Sequence, residues 1–375
     1  NGRCFNSKAP FEGPPLFDNG TVVFQAHDVG WIVCTFFTLI ACGVSFWLIN
    51  KHLMWYTNKH EQRYIVRLLF MVPIYAIIST LSFVFWNHAT ALLLIRDCYE
   101  GVVLVSFFYL LLTYLSPDPE IQKAIFRADG LSKENDFARA RRGEKPQAWF
   151  FPLCRLQAKP ADGMYFLQLM KWLVLQYIIV RPGTTFAAVI LNYIGLYCSD
   201  SWSPRWAHIY ITTLVSISVT IAMYCLVQLY LPIAPRLTSN RPVLKLFAIK
   251  AVVFLTFWQA SFLSALATFG AVKNTPYMTA QDINTGWGAL LETFEMALFA
   301  FLHVKAFPYR PYRPPDPNAQ RTPRLRALAH AFDFRETARE IVDGTIYAWR
   351  RATGKEVDVQ ARREAYLADA FARSR

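Results

Sequence analysis

The chain has 375 residues, of which 54% are hydrophobic, 16% aromatic and only 17% charged. A soluble domain carries about 25% charged residues, and the apolar residues here come in long blocks, which excludes an ordinary soluble fold and indicates a polytopic membrane protein. The net charge is +13, but the basic residues gather at the ends of apolar blocks and no nucleic-acid-binding motif accompanies them, so nucleic acid is not an expected partner.

Residues 1–28 form a polar segment containing Pro10, Pro14 and Pro15. It lacks a charged start ahead of an apolar run, so it does not read as a signal peptide. Asn19 opens a glycosylation sequon with Gly20 and Thr21, usable only on a lumenal or extracellular side. The first span is expected over 29–49, followed by Lys51, His52, Lys59, His60 and Arg63. The second covers 64–86 and contains Pro73, which predicts a kink whose freed carbonyl is satisfied by a neighbouring helix.

The third span runs from Ala91 to Leu115 and holds Arg96, Asp97 and Glu100 in its first half. A charge at the centre of a membrane helix costs ~2.5–3.5 kcal/mol on insertion scales, so it persists where it is paired, wetted or used. Arg96 and Glu100 are four residues apart, and Asp97 and Glu100 three, which places them on neighbouring faces. An intrahelical ion pair near the outer surface and a functional role both fit that spacing.

Residues 116–162 form a long basic loop. The block Met164–Cys198 is too long for one perpendicular span, and Lys171, Arg181 and Pro182 interrupt it. This predicts an amphipathic interfacial start and a span from about Val174 to Tyr197. The remaining spans are expected near 206–231, 246–269 and 286–307. Lysine and arginine fill alternate connections, so the positive-inside rule places the N-terminus outside and the tail in the cytosol. The expected fold is therefore an all-α membrane protein, a seven-transmembrane helix bundle. Residues 1–28 are lumenal or extracellular, 29–312 form the bundle with the loop 116–162 cytosolic, and 313–375 form a cytosolic amphipathic tail.

In the tail, Thr322 reads as an N-cap with Pro323 at the first helical position. Leu325, Leu328, Ala329 and Phe332 make one apolar stripe, and Phe334, Ala338, Ile341, Thr345 and Trp349 a second. Such helices lie on the membrane, dock under the bundle or bind a cytosolic partner through residues 316–375, and the pattern leaves all three open.

There are seven cysteines and no C-x-x-C pair, so no zinc site is expected. Cys4 and Cys198 fall on the lumenal side, where a disulfide and two free thiols are both compatible with the sequence. Cys154 precedes a membrane-proximal stretch and is a candidate for S-palmitoylation. No H-e-x-x-H motif, mid-span lysine in the seventh helix or defensible nucleophile–base pair occurs, so no metal, cofactor or catalytic centre is expected.

Counting inward at ~1.5 Å per residue, Arg96, Asp97 and Glu100 share one depth band with Glu292 and Glu295, and Trp258 and Gln259 reach a similar level. Arg67, Arg181, Lys250 and His303 are expected towards the cytosolic side. An acidic outer cluster over a basic inner half suits a path for an amphipathic organic ion. It suits a structural network equally.

Several runs resemble one family. They are Met71 to Ser79, Arg96 to Glu100, Leu175 to Pro182, Pro242 to Gln259 and Glu295 to His303, together spanning about residues 28–312. They are similar to the organic solute transporter alpha-subunit type, which includes the transmembrane protein 184 group. The resemblance implies seven helices with the N-terminus outside and facilitated movement of bile acids, conjugated steroids and related amphipathic anions, in the best-known members with a single-span beta partner. Fungal and plant relatives imply a vacuolar or endosomal membrane, and the long tail fits that group.

The expected function is a carrier or binder of amphipathic organic solutes, sterols or lipids. Its path is lined by Arg96, Asp97, Glu100, Arg181, Lys250, Trp258, Gln259, Glu292, Glu295 and His303. The alternative is a membrane scaffold or receptor whose tail recruits a cytosolic, autophagy-related partner. A homodimer is compatible with the large apolar faces.

Overall fold

In the computed structural model, the described residues are 17–18, 21–22, 26–85, 88–143, 145–150, 159–160, 163–197, 203–237, isolated positions between 244 and 266, 280–315 and 320–353. Two two-residue strands, β1 (Phe17–Asp18) and β2 (Thr21–Val22), pair antiparallel in the N-terminal segment. The other elements are helical. They are α1 (Ala26–Met54), α2 (Lys59–Leu69), α3 (Met71–Val84), α4 (Ala89–Leu115), α5 (Pro119–Asp129), α6 (Lys133–Arg141), α7 (Gly163–Ile194), α8 (Ala207–Leu237), α9 (Ala280–Ala306), α10 (Arg324–Ala331) and α11 (Arg335–Ala352).

Six helical stretches among the described residues are long and apolar enough to cross a membrane: 28–54, 59–84, 91–115, 165–194, 207–237 and 286–306. The sixth expected span, 246–269, falls mostly outside the described residues, as do Asn19, Cys4, Cys154 and Cys198. Large apolar side chains such as Leu39, Phe186, Tyr193 and Tyr210 are exposed on these helices, which is the pattern of a lipid-facing surface.

The second span carries the kink expected from Pro73 but starts earlier, and the fourth departs from the sequence expectation. The second is helical from Lys59 but breaks at Phe70, between α2 and α3. Pro73 explains the break, because its ring clashes with the carbonyl four residues earlier, at Leu69. The Tyr99 hydroxyl, on α4, donates to the Arg67 carbonyl at 2.7 Å, supplying a partner just before the break. The fourth block is one continuous 32-residue helix, α7, rather than an interfacial start followed by a span. Lys171, Arg181 and Pro182 do not interrupt it, and Arg181 is paired with Asp97 inside the bundle. The helix ends in a Schellman motif: Gly195 has φ +81°, its N–H bonds Asn192 O at 3.2 Å, and Leu196 N–H bonds Leu191 O at 2.8 Å.

The described helices pack in succession. α8 packs on α7, α7 on α4, and α4 on α2 and α3; α3 packs in turn on the pair α1–α9, the most extensive helix pair. Small and polar residues set the close approaches. Phe83 is wedged between Gly30 and Gly286, where an added Cβ would come within 2.7 and 3.2 Å of its ring. Thr38 and Thr80 share a 2.6 Å hydrogen bond between α1 and α3. Gln176 and Ser218 bond twice between α7 and α8, at 2.6 and 2.9 Å. Between apolar helices, packing and polar contacts of this kind rather than burial drive association.

The segment expected as a loop folds against the bundle. Asp118 and Ser132 cap α5 and α6, and Phe126 of α5 is fully buried beside Phe166 of α7. At the other side of the same end, α10 docks on α1 and α2. Arg67 Nε donates to Ala331 O at 2.6 Å, the Tyr56 hydroxyl meets His330 Nδ1 at 3.1 Å, and Thr322 N–H bonds Met54 O at 3.1 Å. The face of α10 that packs is not the leucine stripe. Leu325 is 82% exposed, whereas Ala327 and Ala331 are buried, because small side chains let the helix come close enough for Arg67 to reach its last carbonyl. The chain divides into two compact units, one ending at Ala331 and one comprising the residues after it. Replacing Ala327 by Leu should cost ~1–3 kcal/mol by overpacking and release α10. Limited proteolysis should then cut within 313–331 faster than in the unaltered protein, and equal cutting rates would remove α10 from the bundle's packing.

Candidate functional site

Four helices bring charged side chains together inside the bundle. α4 contributes Arg96, Asp97 and Glu100, α7 contributes Arg181, α9 contributes Glu292 and Glu295, and α3 places Tyr75 beside them. Arg96 Nη1 donates to both carboxylate oxygens of Glu292 at 2.5 Å. Its Nε and Nη2 reach Asp97 Oδ1 at 3.1 and 2.9 Å, and its guanidinium lies 5.0 Å from the centre of the Tyr75 ring. Arg181 Nη2 is 2.7 Å from Asp97 Oδ2 and 3.8 Å from Glu100 Oε2, while its Nε bonds the Asp97 carbonyl at 3.3 Å. Tyr177 donates its hydroxyl to Glu100. The side chains of Arg96, Arg181, Glu100 and Glu292 are no more than 14% exposed, and that of Asp97 20%.

Asp97 therefore binds both arginines, one oxygen to each. This is not the intrahelical pairing that the Arg96–Glu100 spacing allows: each arginine reaches out to another helix. The approach is set by Gly101, where an added Cβ would lie 3.3 Å from the Ile178 backbone. Glycine there lets α4 and α7 run close enough for Arg181 to reach Asp97 and Glu100.

Arg181 was expected towards the opposite end, with Arg67 and His303. Because α7 is helical from Gly163, Arg181 stands ~27 Å along it at ~1.5 Å per residue, level with Asp97. The cluster thus holds two arginines and four carboxylates. Glu295 is the carboxylate without an ion pair among the described residues. Its Oε2 is buried and accepts no hydrogen bond from them. Gln259 Nε2 donates to Gly288 O at 3.0 Å, also with its own oxygen unsatisfied. Lys250 and Trp258 lie outside the described residues. Tyr75 and Tyr177 were not singled out by sequence. The available signal was Tyr177 one helical turn before Arg181, at i, i+4.

A second polar group occupies the other end of the bundle. His303 is buried against Phe307, and neither of its ring nitrogens completes a hydrogen bond of ordinary geometry with a described residue; the Ala248 backbone lies beside it. His52 Nε2 meets Phe307 O at 3.1 Å, Lys245 Nζ donates to the Tyr114 hydroxyl at 2.6 Å, and the Tyr312 hydroxyl donates to Glu61 at 2.7 Å. Burial lowers the pKa of Lys245 to about 8, against an opposing pull from the Glu61 carboxylate. No group of three or more His, Cys, Asp or Glu side chains among the described residues is arranged to hold a metal ion.

An all-helical succession of apolar spans around a buried ion network defines a multi-pass membrane protein. The chain belongs to the organic solute transporter Ostalpha family, whose model matches residues 30–312. It is also 32% identical over 302 residues to a transmembrane protein 184 homolog of Dictyostelium discoideum, an alignment covering 78% of this chain and 55% of that protein. The chain thus spans about half the length of that relative. No solved structure matches it.

Asp97→Asn should be the most damaging single change in the network, costing ~3–5 kcal/mol because it leaves two buried guanidinium groups short of a partner. Glu100→Gln should cost less, since Arg181 keeps Asp97. Melting temperatures in detergent test this order, and equal losses would show that Asp97 is not the shared anchor. Lys245 gives a pH dependence of known sign. The unfolded chain holds that proton to about pH 10.4 and the folded chain releases it near 8, so stability rises between pH 8 and ~10 and the gain is absent below that window. Lys245→Met should flatten the rise in melting temperature from pH 7.5 to 9.5.

Proposed function

We propose that the chain is a carrier of amphipathic organic solutes whose path runs past the Arg96–Asp97–Arg181–Glu292 network, with Glu295 and Gln259 as the groups that meet the solute. Membership of the organic solute transporter family supports the class of activity. The observation that carries the site is the buried, unsatisfied oxygen of Glu295 beside a network in which every other carboxylate is engaged. A buried acceptor without a donor costs ~1–3 kcal/mol, and a bound solute supplying a hydroxyl or ammonium donor would recover it. Both arginines already hold carboxylates, so an anionic solute would have to displace Asp97 or Glu292. The geometry thus favours sterols, lipids or steroid conjugates held through a hydroxyl or other donor group over recognition of an anionic group by the arginines.

We assign the Arg96 end of the bundle to the outside and the α10 end to the cytosol. The distribution of lysine and arginine among the connections supports this orientation.

In proteoliposomes loaded with a labelled steroid conjugate, Glu295→Gln should change flux by roughly tenfold, the factor that about 1.4 kcal/mol represents. Its melting temperature should stay near that of the unaltered protein, whereas Glu292→Gln should lower both. Unchanged flux in Glu295→Gln would remove this residue from the path.

A further inference from the structure

We propose that α11 is an interfacial helix that binds an anionic lipid surface through an exposed face combining apolar and arginine side chains. Val342, Ile346 and Trp349 are 55%, 45% and 72% exposed. At ~100° per residue they fall within ~60° of one another on the helix surface. Ala338 continues the same stripe and is exposed. Thr337, on the other side of the helix, is buried, so the bare face is one side of a helix packed elsewhere.

Charge is sorted around that stripe. Arg335 and Arg339 are exposed and lie ~20° and ~60° from the line through Val342, and Arg350 falls at ~80° by register. The three acidic positions, Glu336, Asp343 and Glu340, fall at ~120°, ~100° and ~160°. Among the side chains the structure describes, Arg335 and Arg339 border the apolar face along one edge and Glu336 lies farther round the helix. This suits a surface that is apolar below and negative above: the tryptophan and aliphatic groups enter the acyl boundary while the guanidinium groups reach phosphate and carboxylate headgroups. The helix follows α10 after only three residues, Phe332 to Phe334, in a chain embedded in a bilayer, so lipid is present at high effective concentration. The inference does not depend on transport.

Hydrogen–deuterium exchange on the full chain in nanodiscs tests it. One set of discs contains only phosphatidylcholine, and the other adds 30% phosphatidylserine. Exchange across 335–352 should slow by roughly tenfold or more in the anionic discs, as expected from two or three arginines near a negative surface. Val342→Asp with Trp349→Asp should abolish that slowing. Arg335→Gln with Arg339→Gln, which leaves the stripe intact, should reduce it towards the phosphatidylcholine value. Any result in which anionic lipid makes no difference to 335–352 overturns the proposal, whether the helix is protected equally in both discs or in neither. Retention of the full slowing in either double variant overturns it as well.

Discussion

One carboxylate, Asp97, holds two guanidinium groups that arrive from opposite directions. Arg96 leans across α4 towards α9, where Glu292 completes its contacts, and Arg181 comes from α7. In an apolar medium an isolated buried charge is far more costly than a paired one, so these helices are constrained to stay within a side chain's reach of one another. The other polar contacts of the bundle, Thr38 with Thr80 and Gln176 with Ser218, link neighbouring pairs. The arginine network differs because it joins three helices at once. A bilayer provides little apolar driving force between helices, which makes such a shared anchor more consequential here than in a water-soluble core.

The two ends of the bundle are built with different chemistry. One contains charges in fixed opposition, with one carboxylate left over. The other contains imidazoles, tyrosine hydroxyls and a lysine whose burial favours the uncharged amine. α10 and α5 cover the second end with small or aromatic buried side chains, Ala327, Ala331 and Phe126, so residues that read as polar tail and loop contribute to packing.

Most of the architecture was legible from apolar block length alone, because roughly 20 apolar residues per span is a strong constraint. What was not legible came from competition between local and tertiary effects. Arg181 and Pro182 look like a break until a partner for the arginine is known, and that partner lies 84 residues away. The same error displaced Arg181 to the wrong end, since depth was counted from a helix start eleven residues too late. Arg96 and Glu100 have ideal spacing for a local pair, yet each finds a better partner on another helix. In α10 the leucines suggested the packing face, but a close approach needs alanine, and only the Arg67 contact reveals which face is turned inward.

The interruption at Phe70 divides a single span into two rods of different allegiance. The lower rod, α2, carries Arg67 and, near its start, Glu61, both tied to the covered end; the upper rod, α3, carries Tyr75, which lies under Arg96. Phe70 keeps helical backbone angles and its N–H still bonds Val66 O at 3.2 Å, so the span bends at this point without unwinding, and each rod keeps its own set of polar partners. The bend thus lets one span serve two polar ends of different chemistry, Arg67 and Glu61 at one and Tyr75 at the other.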